Sequence, residues 1–513
     1  MAKTPSDKLH RLIRSLTPQE KRYFRMFIRG KPGQETKYLR LFEAMAGSDE
    51  FDEEKFKTKI YQNQPLESQK YSELKAYLYE LLLKSLQGYD EQQSVEFRLN
   101  HLLQSVAVLF KRGHYDDCRE LLHKAGKTAR HYEAFAHQLE VLRWEKQLAY
   151  TRMDADFLHK RLEHLQYEET HTLEQLRNVS EYRKAFFSVY ATIRREASHR
   201  GEDRQERLRQ LVGQDFMANP DLATSHRARV YYYRALNLYY YAALDYEMFY
   251  ETGGKLIGLL ESKPHFLQEN LADYIAALSN LILSCGLLRR YDEVRSSLEK
   301  LRALKPITYD DRRKIHRQYY SNKFVLCIYT GEFEEGRQEM AQCQSDAARY
   351  DLHDYETSSF FAQYSIICFG CRRYDEALDY LNYWLNQPRT VGREDLQSLA
   401  RILLIILHFE MGNTVLLESL TRSATRFLRK KNRLLELERR FIQGMSEIMK
   451  APDMARQKAV FRQMRGAIQR LASVPDVRAL LQTFDLDAWL ESRLSGRTFA
   501  RVVHEKWLME KKV

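Results

Sequence analysis

Residues 99–125 read LNHLLQSVAVLFKRGHYDDCRELLHKA. Leu99, Leu102, Leu103, Val106, Leu109 and Phe110 recur at helical spacing, Gly113 interrupts, and Tyr115, Cys118, Leu121, Leu122 and Ala125 begin a second apolar stripe. That order predicts a helix, a tight turn and an antiparallel helix. The same turn returns at residues 289–294 (RRYDEV), 331–336 (GEFEEG) and 372–377 (RRYDEA), each anchored by an aromatic residue: Tyr291, Phe333 and Tyr374. Fainter copies stand near Asp156, Asp203, Tyr246 and Thr414, so that successive anchors are 40 to 47 residues apart. A steady step of this size is the sequence signature of a helical solenoid, here of about eight long hairpins.

Composition agrees. A chain of 513 residues exceeds one ordinary core, so it either divides or extends as an array that buries apolar surface between neighbouring units. With 44% hydrophobic residues but only 20 Gly and 10 Pro, there is little material for turns, which favours long helices over many short strands. Residues 1–16 are basic and amphipathic without a continuous apolar stretch, and no uninterrupted apolar run of about 18 residues occurs. Six scattered cysteines make no disulfide framework. The expectation is a cytoplasmic, all-α protein without membrane attachment.

The pattern Gly-x-Tyr-x-x-Ala, followed by an apolar residue at Leu122, Leu298, Met340 and Leu381, resembles the turn and second helix of the tetratricopeptide repeat. The resemblance is clear in four hairpins and faint in four more. It departs from the family in its longer step, the usual one being about 34 residues, and in Arg289 and Arg372, which stand where Gly is usual. The resemblance implies an α-α superhelix that works by holding another protein.

Residues at equal offset from the anchors should share an environment. Cys285, Cys327 and Cys368 each lie six before their anchor, where Leu109 sits in the first hairpin, while Cys118 and Cys343 match Ala377 and Leu301. Five of six cysteines therefore read as small core residues. Cys368 and Cys371 form a CxxC, yet no second pair accompanies it, so neither metal nor redox chemistry is expected. Thr252-Gly-Gly-Lys255 lacks the spacing and following hydroxyl of a phosphate loop and reads as a helix break. No HExxH pair or GxSxG elbow is present. No catalytic residue and no cofactor is expected.

Residues 1–93 are organised differently and read as a helical N-terminal module. Thr17-Pro-Gln-Glu20 is a capping box, starting a helix expected to bury Tyr23, Phe24, Phe27 and Ile28 and to stop at Gly30. Three further helices follow, at about 35–45, 52–61 and 67–86. Residues 94–450 then form the repeat solenoid, and 451–513 a basic helical C-terminal cap. Of the overall charge of +12, the first 40 residues carry +8 and residues 421–513 carry +11, leaving the stretch between net negative at −7.

Two kinds of partner surface follow. Eleven residues before each clear anchor stands an amide: Gln104, Asn280, Asn322 and Gln363. This offset lies about 140° around the helix from the cysteine position, pointing away from that packed face. In the tetratricopeptide family an Asn at the matching position contacts a bound peptide backbone, so the resemblance implies that role for these amides, with Phe110, Ile328, Tyr329 and Phe369 as apolar neighbours. In the tyrosine-rich helix around 231–241, Tyr232, Leu236, Tyr239 and Ala243 share a packing face, placing Arg234, Asn237 and Tyr241 opposite it as further candidates. The second surface is cationic: Arg422, Arg426, Arg429, Lys430 and Arg433 recur at steps suited to one helix face, echoed by Lys458, Arg462 and Arg465 and by Lys21, Arg25 and Arg29. The leading reading is a non-enzymatic scaffold that binds a protein or peptide in a concave groove. The alternative is a nucleic-acid-associated regulator whose basic ends meet phosphate.

Overall fold

The structure, a computed structural model, describes residues 6–28, 37–48, 50–61, 68–91, 94–153, 155–195, 202–347, 360–386, 394–430, 436–472, 477, 481 and 483–510. These residues form 25 α-helices and two short 3₁₀ turns, with no strand among them. Among the described residues no helix is long and apolar enough to cross a membrane.

Five helices build the N-terminal module: α1 (Lys8–Ser15), α2 (Pro18–Ile28), α3 (Lys37–Ala46), α4 (Glu53–Tyr61) and α5 (Ser68–Asp90). The capping box is formed, with Glu20 N–H donating to Thr17 Oγ1 and Thr17 N–H donating to Glu20 Oε2 at 2.6 Å. Leu9, Ile13, Phe24, Phe42, Met45, Phe56, Tyr71 and Leu82 make a core of their own. Two details differ from expectation. Residues 8–15 add a fifth helix, and Phe27 is 46% exposed rather than buried. Phe24 already fills the inward face of α2, and Phe27, three residues on, falls at its edge.

The remaining helices follow as α6 (Val95–Phe110), α7 (Tyr115–His131), α8 (Phe135–Thr151), α9 (Ala155–Arg195), α10 (Glu202–Val212), α11 (His226–Ala243), α12 (Tyr246–Glu261), α13 (Pro264–Glu269), α14 (Leu271–Leu287), α15 (Tyr291–Ala303), α16 (Tyr309–Thr330), α17 (Phe333–Ala347), α18 (Phe360–Gly370), α19 (Tyr374–Leu385), α20 (Glu394–Glu410), α21 (Thr414–Lys430), α22 (Glu436–Lys450), α23 (Met454–Leu471), α24 (Leu486–Ser495) and α25 (Phe499–Glu510). Neighbours in sequence pack on one another, and α14, α16 and α18, the first helices of successive hairpins, also touch in turn.

Every anchor opens a second helix. Tyr115, Tyr246, Tyr291, Phe333, Tyr374 and Thr414 are the first residues of α7, α12, α15, α17, α19 and α21, while Asp156 and Asp203 are the second residues of α9 and α10. Two positions before each of the six anchors that begin their helices the backbone is left-handed: Gly113, Leu244, Arg289, Gly331, Arg372 and Gly412, with φ between 61° and 77°. The next N–H then donates back to the carbonyl five residues earlier, as in Arg290 to Cys285 at 2.8 Å, Glu332 to Cys327 at 3.0 Å and Arg373 to Cys368 at 2.9 Å. This is the Schellman closure of a helix end. The recurring cysteine thus occupies the third helical position from the end, facing the start of the returning helix.

Two helix starts are completed from far along the chain. The carboxylate of Glu133, itself at φ 49°, accepts the N–H groups of His226 and Arg227 at 3.0 Å each. That of Glu269 accepts the Val95 N–H at 2.8 Å, 174 residues away. The C-terminal helices also reach back. α25 lies against the end of α16, where His504 Nδ1 and the Thr330 carbonyl are 2.9 Å apart, and Arg289 pairs with Glu510. Phe499 packs on Phe333, Phe369 and Phe484. In the stretch expected as a terminal cap, described residues from Val460 to Val503 therefore share one continuous core with the hairpins from Val230 onward.

The Thr252–Lys255 segment is not a break, for α12 runs through it. Gly253 serves close packing instead: a Cβ there would stand 3.4 Å from Asn237 Nδ2 and 3.5 Å from Leu281 Cδ1.

Candidate functional site

The amides expected to face a partner are largely held within the fold. Asn237 on α11 is 1% exposed and donates to the Phe249 carbonyl at 2.9 Å and to Thr252 Oγ1 at 3.3 Å, both on α12. Its own carbonyl accepts from Asn280 Nδ2 on α14 at 3.1 Å. Asn322 on α16 donates to Ser279 Oγ on α14 at 3.0 Å, and Gln363 on α18, 8% exposed, donates to the Ser321 carbonyl at 3.0 Å. The result is a ladder that ties α11, α14, α16 and α18 at steps of 42 to 43 residues. These side chains point away from the cysteine face, yet a helix with neighbours on both flanks buries two faces. Gln104 is exposed, because α6 precedes the row that the ladder joins.

The other expected positions divide similarly. Arg234, half-buried, forms an ion pair with Asp273 on α14 at 2.6 Å and lies 4.2 Å over the Phe186 ring, bridging α9 to α14. Tyr241 is 36% exposed and packs on Phe249. The apolar neighbours are occupied too. Phe110 rests on Tyr115 and Trp144, Ile328 is buried, Tyr329 is half-buried, and Phe369 is covered by Phe484 and Phe499 from the C-terminal segment. The chain's own last helices thus fill the space beside the turns that follow Tyr329 and Phe369.

The cationic stripe meets a groove. Arg422 and Arg426 are exposed on α21, beside a space of about 430 Å³ lined also by Thr421, Thr425, Ile442 and Ser446. The three hydroxyls donate to carbonyls of their own helices, so toward the groove they offer lone pairs, which do not favour an anion. Glu418 stands 3.9 Å from Arg422. The side chains of Arg429 and Lys430, and Arg433 as a whole, lie outside the described residues, as does Arg29. Among the secondary stripes, Arg465 is held by Asp487 and Glu491 and Arg25 by Glu43, which leaves Lys458 and Arg462 exposed.

All six cysteines are free thiols. Burial pushes Cys285, Cys327, Cys368 and Cys371 up to about 12 and Cys343 to about 11, so none is a thiolate near neutral pH.

A surface that the sequence reading passed over lies on α8, α9 and the turn between them. Large apolar side chains stand open to solvent there: Tyr150 at 75%, Met153 at 89%, Leu162 at 50%, Tyr167 at 69%, Leu173 at 51%, Phe187 at 54% and Tyr190 at 43%. Of these, Leu162, Leu173 and Phe187 fall within about 40° of one another around α9. The readable signal was a run of 41 residues without Gly or Pro, which a 40-residue hairpin step had divided in expectation.

In comparisons with known proteins, no family model, no curated protein and no solved structure matches the chain.

Proposed function

We propose that this chain is a non-enzymatic scaffold, a tetratricopeptide-like solenoid of long helix hairpins that binds another protein. The observation that carries this reading is that five large apolar side chains, Leu162, Tyr167, Leu173, Phe187 and Tyr190, stand exposed along one helix, α9, since exposed apolar surface gathered on one element marks an interaction site. The repeated turn geometry and the ladder of amides support it by giving that face a rigid backing. The binding surface moves accordingly from the amide positions to the outer side of α8 and α9.

A photo-crosslinking residue at Leu173, with capture from nuclease-treated native lysate and mass spectrometry, tests the reading. A specific protein adduct is expected at that position and none at the buried Leu298. Failure to obtain any adduct above background rejects the scaffold reading. The alternative, nucleic-acid binding by the basic C-terminal region, is supported by the exposed cations Arg422, Arg426, Lys458 and Arg462, and predicts a binding constant that falls steeply with salt.

A further inference from the structure

The C-terminal half of α9 presents a face of mixed chemistry. Arg183, Lys184, Phe187, Tyr190 and Arg194 are exposed at helical spacing, over about 16 Å at 1.5 Å rise per residue. Arg194 lies over the Tyr190 ring at 5.4 Å, and the buried Phe186 supports Phe187 from below at 5.2 Å between ring centres. Among the described residues no carboxylate pairs with Arg183, Lys184 or Arg194, whereas Arg177, six residues before Arg183, is bonded to Glu181.

Charge decides what can cover these rings. A neutral apolar partner would strand three cations at its rim, and a basic one would be repelled. A second copy meeting this face through its own α9 has Glu168 beside Arg130 and His164, Glu169 on Lys146 and Glu181 on Arg177, so only Asp156, Glu163 and Glu174, all on the other part of that helix, are left to offer, and the dimer they would make is an outcome of the test below. A long polyanion such as nucleic acid, running on along the helix, would meet Glu163, Glu174 and the acidic pairs of the N-terminal half. A short segment carrying carboxylates on either side of an apolar side chain satisfies all three cations and both rings.

We propose that this face of α9 is the docking surface for an acidic, amphipathic protein segment, whose apolar residue seats against Phe187 and Tyr190 while its carboxylates meet Arg183, Lys184 and Arg194. The inference rests on the protein-binding reading and names the chemistry of its partner. The probes are a fluorescein-labelled peptide of about 16 residues with Glu placed around Leu and Phe at helical spacing, its Glu→Gln counterpart, and a labelled oligothymidylate. Fluorescence anisotropy with the full chain should show the acidic peptide binding, with its Gln counterpart weaker by roughly tenfold. Arg183→Glu with Lys184→Glu should weaken the acidic peptide by at least about tenfold, and Phe187→Ala by about threefold or more without altering the salt dependence.

Absence of peptide binding at low salt, or binding untouched by these variants, overturns the proposal. So does tighter binding of oligothymidylate that the same variants abolish, or a parent dimer that the charge reversal converts to monomer. If the Leu173 crosslink still captures a protein while the peptide fails, the scaffold reading stands and this assignment of the partner falls.

Discussion

At the junction of three turns, His131 and His265 stack at 4.2 Å, and His226 lies on Phe266 at 4.7 Å. Both ring nitrogens of His226 are buried without a hydrogen-bond partner. Burial lowers its pKa to about 4; Lys263, His265 and Arg227 nearby act in the same direction, and only Glu133 opposes them. The unfolded chain therefore takes up this proton near pH 6.5, while the folded chain resists it until about pH 4. Stability from this group is complete above pH 6.5 and is lost as pH falls toward 4, a span of roughly 3 kcal/mol. Urea melts at pH 7.5 and 5.0 should show the decline, and His226→Phe, which keeps the stack, should flatten it. An unchanged slope in that variant would remove His226 as the cause.

Asn237 is the second residue on which much converges. Asn237→Ala removes the link among α11, α12 and α14 and leaves Asn280 without its acceptor, so it should destabilise the protein by roughly 2–3 kcal/mol. Equilibrium denaturation measures this. A loss under about 0.5 kcal/mol would mean that water replaces the amide without penalty.

Among the elements, the turns allow a controlled comparison. Gly331 and Gly412 share φ 75°, but a Cβ at Gly412 meets nothing within 4 Å, while at Gly331 it would come 2.7 Å from the His504 N and 2.9 Å from the Ala500 O of α25. Gly412→Ala should cost about 1 kcal/mol, the left-handed penalty alone, whereas Gly331→Ala should cost about 3 kcal/mol or displace α25. Hydrogen exchange across 499–510 distinguishes the two: protection should fall only in Gly331→Ala. Equal protection in both variants would show that α25 does not depend on this seat.

These turns were legible because an aromatic at the first position of the returning helix and a cysteine or leucine six residues before it mark a Schellman end in plain sequence. Arg289 and Arg372 concealed the left-handed position, which Gly113 and Gly331 advertised. The direction of the amides was not legible. A rotation of 140° from one packed face leads to solvent only if a helix has a single neighbour, and α16 is flanked by α14 and α18. Nor was α9, since a spacing argument counts breaks and this helix has none inside it.

Over the whole molecule, the apolar interior is divided. Residues from Leu9 to Leu82 form one core, while the interior from Val230 to Val503 is another and includes the C-terminal helices. Residues 1–91, expressed alone, should be helical and melt cooperatively, as a core of this size permits. Circular dichroism with thermal melting decides it, and a non-cooperative profile would show that the module needs the rest of the chain.

The two borrowed carboxylates also bear on timing. While the chain is being made, α6 emerges long before Glu269, and α11 only after Glu133. The second helix therefore finds its terminator waiting, but the first has an open end until 174 more residues have been added. At common synthesis speeds that interval lasts roughly 10–35 s. Throughout it the Val95 N–H at the head of α6 is answered by water, and its protein partner comes only with the later glutamate.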